Sequence, residues 1–197
     1  LVLPTMPMGC NFGDLNNDGW LDFYLGTGNT GLSNITPNLM FLNRDGKSFE
    51  NITLGGGFGH LQKGHSIAFA DLDNDGDLDI FIVRNGAGGL LYRNDHGNQK
   101  NWMRVSLLGS VSGTDAWGAR IELLPQGGGT QQVREIGARS HFLGQSERVA
   151  HFGLGSSDLL LRYGVTVHWP SGRMSVLNDL APNQTLVVRE VEAPEPG

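Results

Sequence analysis

Two short loops carry side chains whose oxygens are spaced to bind a cation. The second loop has carboxylates at positions 1, 3, 5 and 9 and a glycine at position 6, which are Asp71, Asp73, Asp75, Asp79 and Gly76. The first loop repeats this spacing with a carboxamide at position 3, in Asp14, Asn16, Asp18, Asp22 and Gly19. Clustered carboxylates repel one another, and a hard dication relieves that repulsion. Calcium takes six to eight oxygens at ~2.3–2.6 Å, so the pattern predicts about two Ca²⁺ ions.

Position 7 of each loop is predicted to supply a backbone ligand. The glycine at position 6 lets the chain turn so that alternate side chains converge, and the carbonyl that follows then faces the ion. Trp20 and Asp77 occupy this position. Because the tryptophan side chain cannot coordinate, we expect both residues to contribute carbonyl oxygens and the Asp77 side chain to point outward.

An EF-hand, a magnesium site and a metal-free turn fit the two loops less well. An EF-hand requires a bidentate glutamate at position 12 and flanking helices, whereas position 12 is Leu25 in the first loop and Ile82 in the second. Magnesium prefers fewer carboxylates and keeps its waters. A turn rich in Asp, Asn and Gly can form without a metal, but the two copies in register argue against it.

The loops belong to an internal repeat. Residues 12–25 and 69–82 read FGDLNNDGWLDFYL and FADLDNDGDLDIFI, at an offset of 57 residues. A second apolar segment follows each copy, at 38–46 and 89–97. Short aromatic and β-branched runs ended by Gly and Asn indicate strands. The period predicts one β unit per repeat, with the units stacked on their neighbours.

The composition changes near residue 100. We predict repeats over 1–100, with calcium loops at 14–22 and 71–79, a β domain over 101–191, and a tail over 192–197. Seven short strands separated by turn signals favour a small sandwich or barrel in the second part. The predicted strands are Trp102–Leu108, Ala119–Leu124, Thr130–Gly137, Val149–Gly153, Val165–Trp169, Met174–Leu177 and Thr185–Glu190.

Composition excludes several classes of function. The 197 residues include 30 glycines and carry a net charge of -6, which argues against nucleic acid as a main partner. The single cysteine excludes an internal disulfide and a multi-cysteine metal site. No apolar run approaches the ~20 residues of a membrane helix. The chain begins with Leu1 and shows no signal peptide, and we expect it to be part of a longer protein.

The motifs resemble those of a known family. The paired Asp loops resemble the FG-GAP/VCBS repeat of integrin-like β-propellers. NWMRVSLLG, WGARIELL, REIGARSHFLGQSERVAHFGLG, VTVHWPSGR and LAPNQTLVV are similar to the ASPIC/UnbV domain. Together they resemble the C-terminal part of CRTAC, or cartilage acidic protein-like, proteins. The resemblance implies an all-β fold of partial propeller blades followed by a small sandwich or barrel-like ASPIC/UnbV domain. The segment SGTDAW at 112–117 departs from the family pattern.

No catalytic constellation is evident. The six histidines form no HxH, HExxH or haem motif, and no serine lies in a GxSxG elbow. We therefore predict a non-catalytic, calcium-binding module for interaction or adhesion, outside the cytoplasm in the extracellular space or periplasm. Its partner would be a protein or other chains of the same assembly, with a glycan as a further candidate. A structural subunit of a larger extracytoplasmic complex and a carbohydrate-acting or carbohydrate-binding enzyme lobe are the alternatives.

Overall fold

The protein is all-β, as predicted. A computed structural model describes residues 6–28, 36–61, 63–137, 140–141, 143–156 and 158–191. The described residues form one short 3₁₀ turn, Gly97–Gln99, and sixteen strands. The strands are β1 (Pro7–Gly13), β2 (Asp22–Thr27), β3 (Leu39–Arg44), β4 (Ser48–Asn51), β5 (Gly64–Ala70), β6 (Asp79–Arg84), β7 (Leu90–Tyr92), β8 (Asn101–Leu108), β9 (Arg120–Pro125), β10 (Gln132–Glu135), β11 (Ser140–His141), β12 (Gly144–Gln145), β13 (Val149–Gly155), β14 (Tyr163–His168), β15 (Met174–Leu180) and β16 (Gln184–Arg189).

The chain divides into two compact units. The first comprises residues 1–16, 20–98 and 139–147, and the second comprises 17–19, 99–138 and 148–197. Most of the first unit is the Asp-loop repeat, and most of the second is the region of seven predicted strands. The predicted domain boundary at residue 100 stays a prediction, and the predicted tail over 192–197 lies outside the described residues.

The two repeats of the first unit form one sheet each, and the short pair β11-β12 is a further sheet of this unit. The first sheet has the order β1-β2-β3-β4, and the second has the order β5-β6-β7. All neighbouring strands in them run antiparallel, so each sheet is a simple meander. Each Asp loop joins the first two strands of its sheet, and the sheet therefore fixes where the loop begins and ends.

Alternation along the strands buries one face of each sheet in a shared core. Tyr24 and Met40 from the first sheet meet Ile67, Phe69 and Ile80 from the second sheet in this core. This core packs the two sheets against each other. It therefore also fixes the positions of the strand ends from which the two Asp loops project.

The second unit contains a sandwich of two sheets. All seven predicted strands are present, in the sheets β10-β9-β14-β15 and β13-β8-β16. Ile121 and Val165 from one sheet share a core with Met103, Phe152 and Val188 from the other. β16 pairs in parallel with β8, an arrangement that requires a crossover and that strand periodicity does not reveal.

A buried glutamate near the end of β16 anchors two turns of the second unit. The Glu190 carboxylate accepts hydrogen bonds from the backbone N–H groups of Ser110 at 2.8 Å and Ser112 at 2.9 Å, and from the hydroxyls of Ser112 and Ser171. Burial alone would raise the pKa of Glu190, but these donors outweigh it and lower the pKa to about 2.

We expect Glu190→Gln to lower the stability of the second unit at neutral pH by about 1–2 kcal/mol, because charge-assisted hydrogen bonds are lost. A depressed carboxylate pKa stabilises the fold above its unfolded value of 4.5. This contribution is lost as the pH falls towards about 2. Melting curves of both proteins should therefore differ at pH 7 and converge only as the pH falls to about 2. Glu135→Gln, at an exposed position, is the matched control. A gap that persists at low pH would contradict this assignment.

Candidate metal centres

The second loop brings three carboxylates together. One oxygen from each of Asp71, Asp73 and Asp75 lies within 4.8 Å of the other two. Among the described residues, no other three acidic, histidine or cysteine side chains form such a group. Asp71 is buried, Asp75 is half-buried and Asp73 is exposed, so the group opens to solvent on the Asp73 side. These are the first three of the four carboxylates that the spacing predicts as ligands.

Backbone turns with positive φ shape this loop. Gly76 has a φ of 98° and Asn74 a φ of 59°, a region that favours glycine and that asparagine tolerates. The turn lets the Asp71 carboxylate accept hydrogen bonds from the backbone N–H groups of Asp75 and Gly76, both at 3.1 Å. The loop therefore holds its carboxylates in place through its own backbone.

The fourth carboxylate holds the loop closed. Asp79 is only 2% exposed. One of its oxygens accepts from the Leu72 backbone N–H at 3.0 Å and the other from the Asn94 backbone N–H at 2.8 Å. Each oxygen keeps a second lone pair, so the hydrogen bonds leave Asp79 able to bind a cation as well. The structure assigns it a positioning role that the ligand pattern alone does not show.

The first loop repeats this arrangement. Asp22 is buried and accepts from the backbone N–H groups of Leu15 and Asn43, both at 2.9 Å. Gly19 at position 6 has a φ of 95°, and Asn17 at position 4 has a φ of 52°.

The remaining first-loop candidates are placed differently from one another. Asp14 is buried, whereas Asn16 and Asp18 are half-buried. Because position 3 is Asn16, this loop has a carboxamide where the second loop has its second carboxylate, Asp73. The indole of Trp20 lies over Gly46 and leaves no room for a side chain there.

The prediction that the Asp77 side chain points outward is wrong. Asp77 is fully buried. One carboxylate oxygen accepts from the Asn98 backbone N–H at 3.0 Å, and the other is buried without a hydrogen-bond partner among the described atoms. Gly97 makes this possible, because a Cβ there would lie 2.7 Å from the Asp77 Cβ. Burial is the largest cause that raises the pKa of Asp77, the Asn98 backbone N–H lowers this pKa, and nearby Asp75 and Asp79 raise it, with a net value of about 7.

Three groups outside the loop pattern support the second loop. The Asn98 carboxamide donates to Asp75 at 2.6 Å, and Glu147 accepts from the Asp71 backbone N–H at 3.2 Å. Asn94 donates to the Leu15 carbonyl at 2.7 Å and so links both loops. Sequence reasoning missed all three. Asn43 and Asn94 align when 38–46 is laid on 89–97, and this recurrence is a signal that could have found Asn94.

The fold and the loops define a class of protein: an all-β chain in which Asp-loop sheet repeats precede a β sandwich. Comparison with known families specifies it further. Residues 14–82 match the FG-GAP-like repeat, and residues 109–195 match the family described as ASPIC and UnbV. The chain thus combines FG-GAP-like repeats with an ASPIC/UnbV domain, as the motifs predict.

Curated relatives agree with this assignment. The chain is 32% identical to cartilage acidic protein 1 of Mus musculus over 64% of its length and to that of Homo sapiens over 63%. It is 30% identical to cartilage acidic protein 1 of Xenopus tropicalis over 57% of its length. The chain is therefore homologous to cartilage acidic protein 1. It spans only 19%, 18% and 17% of these relatives.

Proposed function

We propose that this chain is a non-catalytic, calcium-binding module for protein interaction that works outside the cytoplasm. The proposal depends first on the group formed by Asp71, Asp73 and Asp75, whose oxygens lie within 4.8 Å of one another. Three carboxylates this close repel one another unless a cation or protons neutralise them. The oxygen-only donor set suits calcium.

The residues fit the ion. In the second loop, Asp71, Asp73, Asp75 and Asp79 would supply carboxylate oxygens and Asp77 its carbonyl. In the first loop, Asp14, Asn16, Asp18 and Asp22 would supply side-chain oxygens and Trp20 its carbonyl. A bound ion would tie the first two strands of each sheet together, so that its binding energy would become folding energy.

Calcium chemistry and homology both support the proposed setting outside the cell. Loops of moderate affinity fill at millimolar calcium, which extracellular fluids provide and the cytosol does not. The homology to cartilage acidic protein 1 supports the same location. No helix among the described residues is long and apolar enough to cross a membrane.

A role in interaction rather than catalysis has two supports. FG-GAP-like repeats and an ASPIC/UnbV domain account for most of the chain. Among the described residues, the one group of three acidic side chains lies in the second Asp loop, where hydrogen bonds hold Asp71 and the proposed ion would bind all three. We therefore assign the calcium a structural role, in which it fixes the surface that a protein partner contacts.

Terbium luminescence tests whether the loops bind a calcium-like ion. Tb³⁺ takes oxygen ligands as calcium does, and it emits when a nearby indole transfers energy to it. Because Trp20 lies at position 7 of the first loop, we expect indole-sensitised emission that calcium displaces and that Trp20→Phe reduces by more than about half.

The second loop supplies the matched control, since it has no tryptophan. Asp73→Ala should leave the emission sensitised by Trp20 intact. Emission that is absent at saturating terbium, or that excess calcium fails to displace, would contradict calcium binding at the first loop.

A further inference from the structure

A glycine-rich segment connects the two repeat sheets of the first unit. Residues 54–61 read LGGGFGHL and lie between β4 and β5, and we call them the glycine segment. Glycine loses more conformational entropy on folding than any other residue, so four glycines in eight residues make this segment costly to hold in one conformation. Its position therefore depends on the side chains that contact it.

Tyr24 on β2 and Asn38, the residue before β3, hold the end of the glycine segment. The Tyr24 hydroxyl donates to the Phe58 carbonyl at 3.1 Å, and the Asn38 backbone N–H donates to the His60 carbonyl at 3.3 Å. The side chains of Asn38 and His60 also meet, with Nδ2 of the asparagine 2.8 Å from Nε2 of the histidine. His60 is therefore held through both its backbone and its ring.

The surroundings of Asn38 determine which nitrogen of His60 carries the proton. Asn38 is fully buried, and its Oδ1 accepts from the Thr27 backbone N–H at 2.9 Å. A backbone N–H can only donate, so this contact orients the carboxamide and leaves Nδ2 facing the ring. Because Nδ2 can also only donate, Nε2 of His60 must accept, and the ring is neutral with its proton on Nδ1. A proton on Nε2 would set one donor against another.

In the part of the chain that the structure describes, the titratable and charged groups near His60 include two tyrosines and two cationic side chains. The rings of His60 and Tyr92 on β7 have centroids 6.4 Å apart. Burial, the largest cause, raises the pKa of Tyr92 and of Tyr24, so both stay neutral below pH 8. Arg84, at the end of β6, is close enough to Tyr92 to lower its pKa, and Lys63 follows three residues after His60. Both cations oppose a further positive charge nearby.

We propose that His60 is a pH switch whose protonation breaks the contact with Asn38 and releases the glycine segment. Histidine is the side chain that ordinarily changes charge between about pH 5 and 8. Only the neutral ring makes the contact in the folded state, so the unfolded chain takes up more protons as the pH falls. The fold therefore keeps this contribution at neutral pH and loses it below about pH 6.5. The inference does not depend on calcium binding.

The glycine segment also closes a cavity. A space of about 330 Å³ lies between the two repeat sheets, where Met40 of the first sheet and Ile80 of the second line it. Gly56 and Phe58 of the glycine segment form another part of its wall. Release of the segment would thus open an apolar interior to solvent in mildly acidic surroundings.

Hydrogen–deuterium exchange followed by mass spectrometry tests the proposal. The exchange of the full chain is measured at pH 7.5 and 5.5 in saturating calcium, and it is corrected for the intrinsic effect of pH on amide exchange. We expect the protection of amides in residues 56–60 to fall at least about tenfold at pH 5.5, whereas that of β14 in the second unit stays the same. His60→Gln keeps an acceptor for Asn38 but cannot titrate, so its fall should be less than about twofold.

Asn38→Asp should reverse the pH dependence. A carboxylate at this position still accepts from the Thr27 backbone N–H, and its other oxygen would pair with protonated His60. The glycine segment should then be better protected at pH 5.5 than at pH 7.5. A residue that merely fills space would not change the sign of the effect. If Asn38→Asp fails to fold by circular dichroism, the comparison with His60→Gln decides alone.

Two other groups that titrate in this range serve as controls. His65→Gln, on the neighbouring strand β5, should keep the full fall in protection. Asp77 has a pKa of about 7, and any effect of its titration would persist in His60→Gln. The proposal is overturned if the wild-type segment is equally protected at both pH values, if the fall persists in His60→Gln, or if a folded Asn38→Asp protein shows the same fall as the wild type.

Discussion

Replacement of Asp79 by alanine is expected to destabilise the first unit by about 2–5 kcal/mol even when no calcium is present. The Asp79 carboxylate accepts hydrogen bonds from the backbone N–H groups of Leu72 and Asn94. Without it, both donors lose their partner in a part-buried site, and each such loss costs about 1–3 kcal/mol. Urea denaturation in excess chelator, followed by circular dichroism, measures the change in the free energy of unfolding.

Asp73→Ala is the matched control, because Asp73 belongs to the same loop but is exposed. Its removal also lessens the repulsion with Asp71 and Asp75, so stability without calcium should change by less than about 0.5 kcal/mol. If the Asp79→Ala protein were as stable as the wild type in chelator, the two hydrogen bonds would contribute nothing to the free energy of unfolding. An equally large loss for Asp73→Ala would show that the two residues do not differ in role.

The sequence predicts the repeat architecture well because strands, turns and the metal pattern are local signals. The offset of 57 residues identifies the equivalent loops, and the structure gives both the same closure by Asp22 and Asp79. The need for glycine at position 6 follows from the turn, and Gly19 and Gly76 both have positive φ.

The surroundings of the second loop could not be predicted in the same way. Asp77 turns inward because the Asn98 backbone N–H, 21 residues away, binds its carboxylate. Glu147 reaches the Asp71 backbone N–H from 76 residues away. Such contacts depend on tertiary packing, which a nine-residue motif does not determine.

The parallel pairing of β16 with β8 is a further feature that could not be predicted from the sequence. The alternation of apolar and polar residues predicts that both segments are strands, but it does not predict which strands become neighbours in the sheet. Pairing partners so far apart in the chain are set by the whole core of the second unit.

Removal of calcium is expected to cause a large loss of thermal stability. At about 10 mM calcium and a Kd near 0.1 mM, each site would contribute ~2.7 kcal/mol to folding. Two sites together correspond to a rise in Tm of about 10 °C or more for a chain of this size. Sodium chloride at matched ionic strength and magnesium chloride are the controls. They separate specific calcium binding from the screening of charges by salt.

The most direct test of the central claim is therefore the Tm of the wild-type chain and of Asp73→Ala, each measured with calcium and with EGTA. Calcium binding at both loops predicts a large gap between the two wild-type melting curves and a gap about half as large in the variant. The same wild-type Tm in calcium and in EGTA would contradict calcium binding by these loops.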